Sequence, residues 1–368
     1  MLPGERMRAT YEFQPVDRLP RGEFYIWDET MTRWKAEGLP DDWDAINELF
    51  HYDPPGKFGT GLGLGWCEPP FWPMFEDKLI EVQGDYELIQ DVAGRICKNF
   101  RGRREGFMPI YLKHVASTRA DWDAVKWRLD PGNQDRWKAL AGQPTIQRQK
   151  ADAVGGMVTQ GLIGGYMYLR AMMGPEDLLL AVHDQPELIQ SLMQAWLEIV
   201  DAGLAHVQAE IEIDEVFFAE DICYNHGLLI SPQSVRGFLF PYYRQVLDNA
   251  RARQSRFLHF QLDTDGDCRP AIPLYKEIGL TAMSPMEVAS GCDVVEIAKE
   301  HPDLRIFGGI DKRVLAAGRE AIDAHLEHIL PFMVKRGGYY PMCDHGVPPD
   351  VSLENYLHYR ERVCELDH

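Results

Sequence analysis

The 368-residue chain contains no apolar run that approaches the roughly 20 residues needed to cross a bilayer, so no membrane span is expected. Basic charge is scarce as well: 38 Lys and Arg stand against 57 Asp and Glu, a formal net charge of −19. Such a field repels phosphate backbones and anionic lipid, which argues against nucleic acid and membrane surfaces as partners. The one compact basic run, Arg101-Gly-Arg103-Arg104, reads as a solvated turn. The seven cysteines (67, 97, 223, 268, 292, 343 and 364) are scattered and odd in number, with no C-x-x-C pair. That excludes a disulfide framework and points to a reducing compartment. The opening Met-Leu-Pro-Gly-Glu-Arg-Met-Arg has charge but no apolar h-region, so a cytoplasmic location is expected.

Several familiar motifs are missing too. The glycines at 59, 61, 63 and 65 do not reach the G-x-G-x-x-G spacing of a dinucleotide turn, because Leu64 and Trp66 occupy the positions required. Asp263-Thr-Asp265-Gly266-Asp267 resembles a calcium loop, yet its glycine comes two positions early and Leu274 stands where the bidentate Glu belongs. No G-x-S-x-G, P-loop or H-E-x-x-H is found. His325 and His328 share a helix face and read as surface residues.

What is present is material for a large core, with 45% hydrophobic and 11% aromatic residues. Eight apolar or β-branched segments read as strands: 22–27 (GEFYIW), 108–113 (MPIYLK), 156–160 (GMVTQ), 215–219 (EVFFA), 257–261 (FLHFQ), 280–284 (LTAMS), 305–309 (RIFGG) and 338–342 (GYYPM). Helical spacing follows most of them, over 175–204, 232–252, 272–277, 294–301, 312–336 and 353–365. Unbroken apolar strands alternating with helices predict a parallel sheet wrapped in helices, and eight such units predict a (β/α)8 TIM barrel. One domain over 1–368 is expected, elaborated near its N-terminus by helices and loops. The insertion, about 30–107, is rich in Pro, Gly and Trp. It should cover the barrel, with Trp66, Phe71 and Trp72 at the mouth.

In such a barrel the reactive side chains stand at the C-terminal strand ends. Those positions hold Glu23, Tyr25 and Asp28; His114; Gln160; Glu220, Asp221 and Tyr224; His259, Gln261, Asp263 and Asp265; Glu287; Asp311; and Cys343, Asp344 and His345. His259, Gln261 and Asp263 alternate onto one face of a strand. Several members have a simpler role open to them. Asp311 could cap a helix, Asp344 could bind loop amides, and Glu287 could pair with a buried cation. His345, between Asp344 and Gly346, is a candidate acid or anchor. A nearby carboxylate, Asp344 or Glu287, would raise its pKa.

Arg8-Ala-Thr, Pro15-Val-Asp-Arg18, Ile163-Gly-Gly165, Glu220-Asp221, Phe257-Leu-His-Phe, Pro285-Met-Glu287, Phe307-Gly-Gly-Ile-Asp311 and Asp344-His345 carry a resemblance over essentially the whole chain. The sequence resembles the uroporphyrinogen decarboxylase superfamily, which includes corrinoid-linked methyltransferases. Its segment 20–28 has one arginine and two added acids where true decarboxylases carry an arginine-rich motif ending Gln-Ala-Gly-Arg. The methyltransferase branch is therefore the better likeness. That branch implies zinc on a His-x-Cys pair and a distant Cys. His259 and Cys343 match two of these positions, while Gln261 replaces the middle cysteine. Glu220, Asp263 or His345 could complete the set. A methyltransferase of this kind would move a methyl group from or to a small molecule, with methylcobalamin or another corrinoid on a partner protein. It would use His345, Asp221 and Glu287 catalytically; Tyr25, His114, Gln160, Tyr224 and Asp265 for substrate; and His259, Cys343 and Glu220 for metal. It could be an oligomer. The alternative is a metal-free decarboxylase acting on a small acid, which Arg21 and Arg269 turned into the pocket would suit.

Overall fold

The computed structural model describes residues 1–102 and 109–368. Its centre is a curled parallel sheet of seven strands: β1 (Lys57–Gly59), β2 (Met157–Ile163), β3 (Glu215–Ala219), β4 (His259–Asp263), β5 (Ala282–Ser284), β6 (Arg305–Phe307) and β7 (Tyr339–Tyr340). Spatial order follows chain order, so each parallel step requires a crossover, and helices supply most of them. Side chains alternate across the sheet. Val216, Phe218, Phe260 and Leu262 face outward into the main core, against Leu192, Trp196, Val246 and Leu247 of the helices Pro186–Gln208 and Phe240–Ala252. Trp196 is fully buried, and its Nε1 donates to the Ile163 carbonyl at 2.8 Å. Truncating such a residue to Ala costs roughly 3–5 kcal/mol.

A second, smaller core fills the inside of the curl, where Met7 and Tyr11 of helix Pro3–Tyr11 meet Met157, Ala282, Phe307 and Met342. Polar groups accompany it. Lys57 Nζ donates to Glu215 at 2.8 Å and to Gln261 at 3.2 Å; Gln261 Nε2 donates to Ser284 at 2.9 Å; and Ser284 Oγ donates to Asp263 at 2.5 Å. Tyr11 also donates to Glu215. The chain of bonds is continuous, which is how buried polar groups escape their desolvation cost.

Several expectations change here. Segment 108–113 was expected in the parallel sheet. Ile110–Lys113 instead forms the edge of a four-stranded antiparallel sheet with Lys78–Gln83, Tyr86–Gln90 and Ile96–Phe100. Met108, Arg103 and Arg104 lie outside the described residues. The missing parallel strand is Lys57–Gly59, inside the expected insertion and too short to show as an apolar run. Segment 22–27 contributes one bridge, Ile26 to Val347. The long helical stretches break at predictable places, between Asp184 and Pro186 and at Gly318 with φ +112°. Trp66 lies over the inner face, stacked on Phe217 at 5.4 Å, while Phe71 is buried against Phe75 and Trp72 is exposed.

Candidate active site

Beyond the C-terminal end of β3 the chain turns sharply at Asp221, whose φ of +44° is uncommon for a residue with a Cβ. The turn holds Asp221 among three groups. Its Oδ1 accepts the Asp265 amide at 3.5 Å, its Oδ2 lies 3.6 Å from Arg170, and its own amide donates to the Asp263 carbonyl at 3.3 Å. Burial raises the Asp221 pKa, reinforced by Asp265 and opposed by Arg170 and His345.

β4 delivers the next two acids. Asp263 is buried at the strand's end, and its Oδ2 accepts the Ser284 hydroxyl. Burial first, then the charges of Asp265 and Asp221, push its pKa up to about 7, so Asp263 still holds a proton near neutral pH. Two residues on, Asp265 meets His345 Nε2 at 3.5 Å. That contact is the largest cause of a raised His345 pKa. The imidazole also has Phe24 and Trp27 as neighbours, with ring centroids at 6.4 and 6.2 Å. Asp221, Asp263, Asp265 and His345 thus form one cluster of three carboxyls and one imidazole.

The rest of the rim is scaffold for this cluster. Asp344 was expected beside the His345 ring. It is instead fully buried and accepts the amides of Val288 at 2.9 Å and Lys312 at 3.0 Å, tying two loops together. Glu287 accepts the Gly266 amide at 2.9 Å and pairs with Lys312 at 3.4 Å, so it braces the loop carrying Asp265. Asp311 caps helix Lys312–Ala317 through the Arg313 amide. His325, read from sequence as a surface residue, accepts the Asp311 amide at 3.1 Å.

Other expected site residues stand elsewhere. Glu220 projects to the opposite side of the wall from Asp221. There its carboxyl accepts the Tyr243 hydroxyl at 2.5 Å, the Tyr275 hydroxyl at 2.6 Å and the Tyr166 amide at 3.3 Å. Gly164 is needed there, because a Cβ would lie 1.8 Å from Glu220. Gln160 faces outward as well. It donates to the Leu62 carbonyl at 2.9 Å and accepts from Thr60, and so pins the 60–62 loop rather than a substrate. Tyr25 is exposed beside Gly346, and Tyr224 is exposed on a short hairpin whose carbonyl accepts the Asp267 amide. His114 lines a cleft shared with Asp221 and Arg170.

His259 begins β4 rather than ending it. Its ring packs edge-on against Tyr11 at 4.9 Å and Phe257 at 4.8 Å, at the far end of the strand from Asp263. Four steps along the strand separate those ends, roughly 13 Å. Cys343 is buried on the rim, where its amide donates to Glu23 at 2.7 Å. His259, Glu220 and Cys343 therefore occupy three different places, and a zinc ion held by all three does not fit. Among the described residues no group of three or more His, Cys, Asp and Glu side chains is arranged to hold a metal ion. Arg21 and Arg269 do not enter the cluster: they pair with Asp367 at 2.6 Å and Asp267 at 2.7 Å.

Sequence reasoning missed Arg170 and Ser284. Arg170 lies on helix Gly165–Met173, right after β2, and that strand-to-helix junction was the available signal. Ser284 had none, being a small residue closing an apolar strand.

The family described as Uroporphyrinogen decarboxylase (URO-D) matches residues 104–366. The uroporphyrinogen decarboxylase of Geobacter metallireducens is 26% identical over 150 residues, 38% of this chain and 39% of that protein. That of Alcanivorax borkumensis is 24% identical over 224 residues, 57% of this chain and 55% of that protein. The chromosomal transketolase of Cupriavidus necator is 30% identical over 201 residues, 50% of this chain and 28% of that protein. The chain thus spans between about a quarter and just over half of the length of these curated relatives. Among solved structures, a methyltransferase from Methanosarcina mazei shares the fold over 99% of both chains, with a TM-score of 0.62 and 14% identity. With the family matched over most of its length, this chain belongs to the uroporphyrinogen decarboxylase (URO-D) family.

Proposed function

We propose that this chain is a methyltransferase on a (β/α)8 barrel, moving a methyl group from or to a small molecule with a corrinoid protein as partner. Residues 22–27 would complete the barrel. Ile26 bridges Val347 on one side, and on the other the Arg21 carbonyl accepts the Asp53 amide at 2.8 Å.

The observation that carries the reading is His345 paired with Asp265 on the same rim as Asp263, an acid that keeps its proton to about pH 7. A heteroatom that gives up a methyl group becomes a stronger base, and a proton delivered to it lowers the barrier. A positioned acid of this kind is worth typically 10²–10⁴-fold. In the opposite direction, neutral His345 would take the proton of a thiol that accepts the methyl. The corrinoid would supply the methyl acceptor or donor from its partner protein. Three carboxyls around one imidazole make a poor host for a substrate with many carboxylates, which sets this site against the decarboxylation of a porphyrinogen.

The test is to supply free cob(I)alamin and a panel of O-, N- and S-methyl donors, and to follow methylcobalamin by absorbance. Methylation that depends on His345 supports the reading. Carbon dioxide release from a small acid, with no methylation across the panel, would replace it. That outcome is the second reading, decarboxylation. It is favoured by Arg170 beside Asp221 as a seat for one carboxylate and by Asp263 as the proton donor to carbon.

A further inference from the structure

Between helix Gly165–Met173 and the edge of the antiparallel sheet lies a cleft of about 220 Å³. Its walls include Tyr111, His114, Met167, Arg170, Pro175 and Asp221. Tyr111 and His114 present rings 5.5 Å apart. The His114 ring fits against a glycine, because a Cβ on Gly174 (φ +86°) would stand 2.6 Å from its Nδ1. Cys67 adds a thiol whose pKa burial pushes up to about 12, so it stays protonated and acts as an apolar wall. An apolar cavity of ~150 Å³ is already enough to hold benzene.

The charged groups of the cleft are unequal. Arg95 is spent: it pairs with Asp91 at 2.7 Å and Glu68 at 3.4 Å and donates to the Cys67 carbonyl at 3.0 Å. Arg170 is not. Among the described residues its guanidinium makes one polar contact, 3.6 Å to Asp221, too long for a good hydrogen bond. A guanidinium carries five N–H donors in a planar fork that matches a carboxylate. Those donors line a mostly apolar cleft, and among the described residues almost no protein group engages them. Asp221 in the wall and Glu68 behind Arg95 repel added negative charge, which disfavours a phosphate dianion more than a single carboxylate.

We infer that this cleft is where the substrate is recognised, as a planar apolar molecule about the size of a substituted benzene ring bearing one carboxylate, which Arg170 binds. Asp221 belongs to both the cleft and the reacting cluster, so a ligand held on Arg170 lies alongside the acids. The inference rests on reading that cluster as the reacting centre, but its test needs no turnover.

Benzoate and its neutral isostere benzamide are titrated calorimetrically into wild type, Arg170→Gln and Arg170→Lys. Wild type should bind benzoate at millimolar concentration or below and prefer it to benzamide by about tenfold or more. Arg170→Gln should erase the preference, and Arg170→Lys should keep part of it. Met167→Trp, which fills the cleft from another wall, should remove binding of both while the Tm of each variant reports that it folds. Equal affinity for benzoate and benzamide in wild type, or an unchanged preference in Arg170→Gln, overturns the inference even if methyl transfer is found. Benzoate selectivity that depends on Arg170 supports it even if methyl transfer is not found.

Discussion

Glu220 and Asp221 are consecutive in the chain, yet their carboxyls lie on opposite sides of the sheet wall. Glu220 sits among three tyrosines and Asp221 among the site's acids. Both pKa values are raised by burial, that of Glu220 to about 8. Glu220→Gln keeps the shape of the group and should leave both activity and Tm close to wild type. Glu220→Ala strands the hydroxyls of Tyr243 and Tyr275 and should cost about 2–4 kcal/mol, read by urea denaturation. Loss of activity in a stable Glu220→Gln would place the residue in the reaction after all.

His345→Ala should lower turnover at least ~100-fold, the low end for losing an acid–base group, with little change in Tm, since the ring is half-buried. Asp265→Asn should bring the His345 pKa back toward its ordinary value, seen by NMR titration of the imidazole. A histidine whose folded pKa is raised adds stability below its unfolded pKa of about 6.5 and loses it as pH climbs through the folded value. The Asp265→Asn deficit in Tm should therefore shrink from pH 5 to pH 8. A deficit that grows with pH would contradict the pairing.

Asp263 has the opposite effect on the pH profile from an ordinary paired carboxylate. Its folded pKa of about 7 lies above the unfolded 3.8, so the native state holds a proton that the unfolded chain has lost, and stability falls across that window as pH rises. Asp263→Asn still accepts the Ser284 hydroxyl but cannot ionise. Melting curves at pH 5 and pH 8 should show the variant gaining on wild type at the higher pH, by up to about 3 kcal/mol. A difference that does not vary with pH would mean that Asp263 is ionised throughout.

His259 is buried at the far end of β4 with Nδ1 unpartnered, and burial lowers its pKa to about 4. Phe would keep the ring contacts with Tyr11 and Phe257 and remove a buried polar atom. His259→Phe should hold or raise Tm, and elemental analysis should find the same metal content as in wild type. Metal lost from the variant would bring His259 back as a ligand.

Periodicity in the sequence showed the strands that carry most of the site, because EVFFA and its neighbours are unbroken apolar runs. It also placed His259, Gln261 and Asp263 on one face, since alternation survives a small error in strand ends. Height along the strand does not survive it. The strand starts at His259 instead of ending two residues later, so His259 moves to the opposite end while Asp263 takes the rim. Gln160 failed on parity: Thr159 faces Glu215 inside, which turns Gln160 outward. Lys57–Gly59 was illegible because three residues, one of them a lysine inside the curl, leave no apolar signal. Arg170 and Asp221 meet only through a helix and a turn far apart in sequence, a contact that no local pattern encodes.

Tyr11 blocks the far end of the curl, fully buried against His259 and Phe307 and hydrogen-bonded to Glu215. Among the described residues, the open end of the curl is then the rim that carries the acids. The proposed protein partner, if seated on that rim, would close it behind whatever is inside. On the proposed reading, arrival would then have a fixed sequence, with the small molecule first and the protein second, and departure would run in reverse. Excess partner should accordingly trap or exclude the small molecule, so that transfer slows at high partner concentration instead of levelling off.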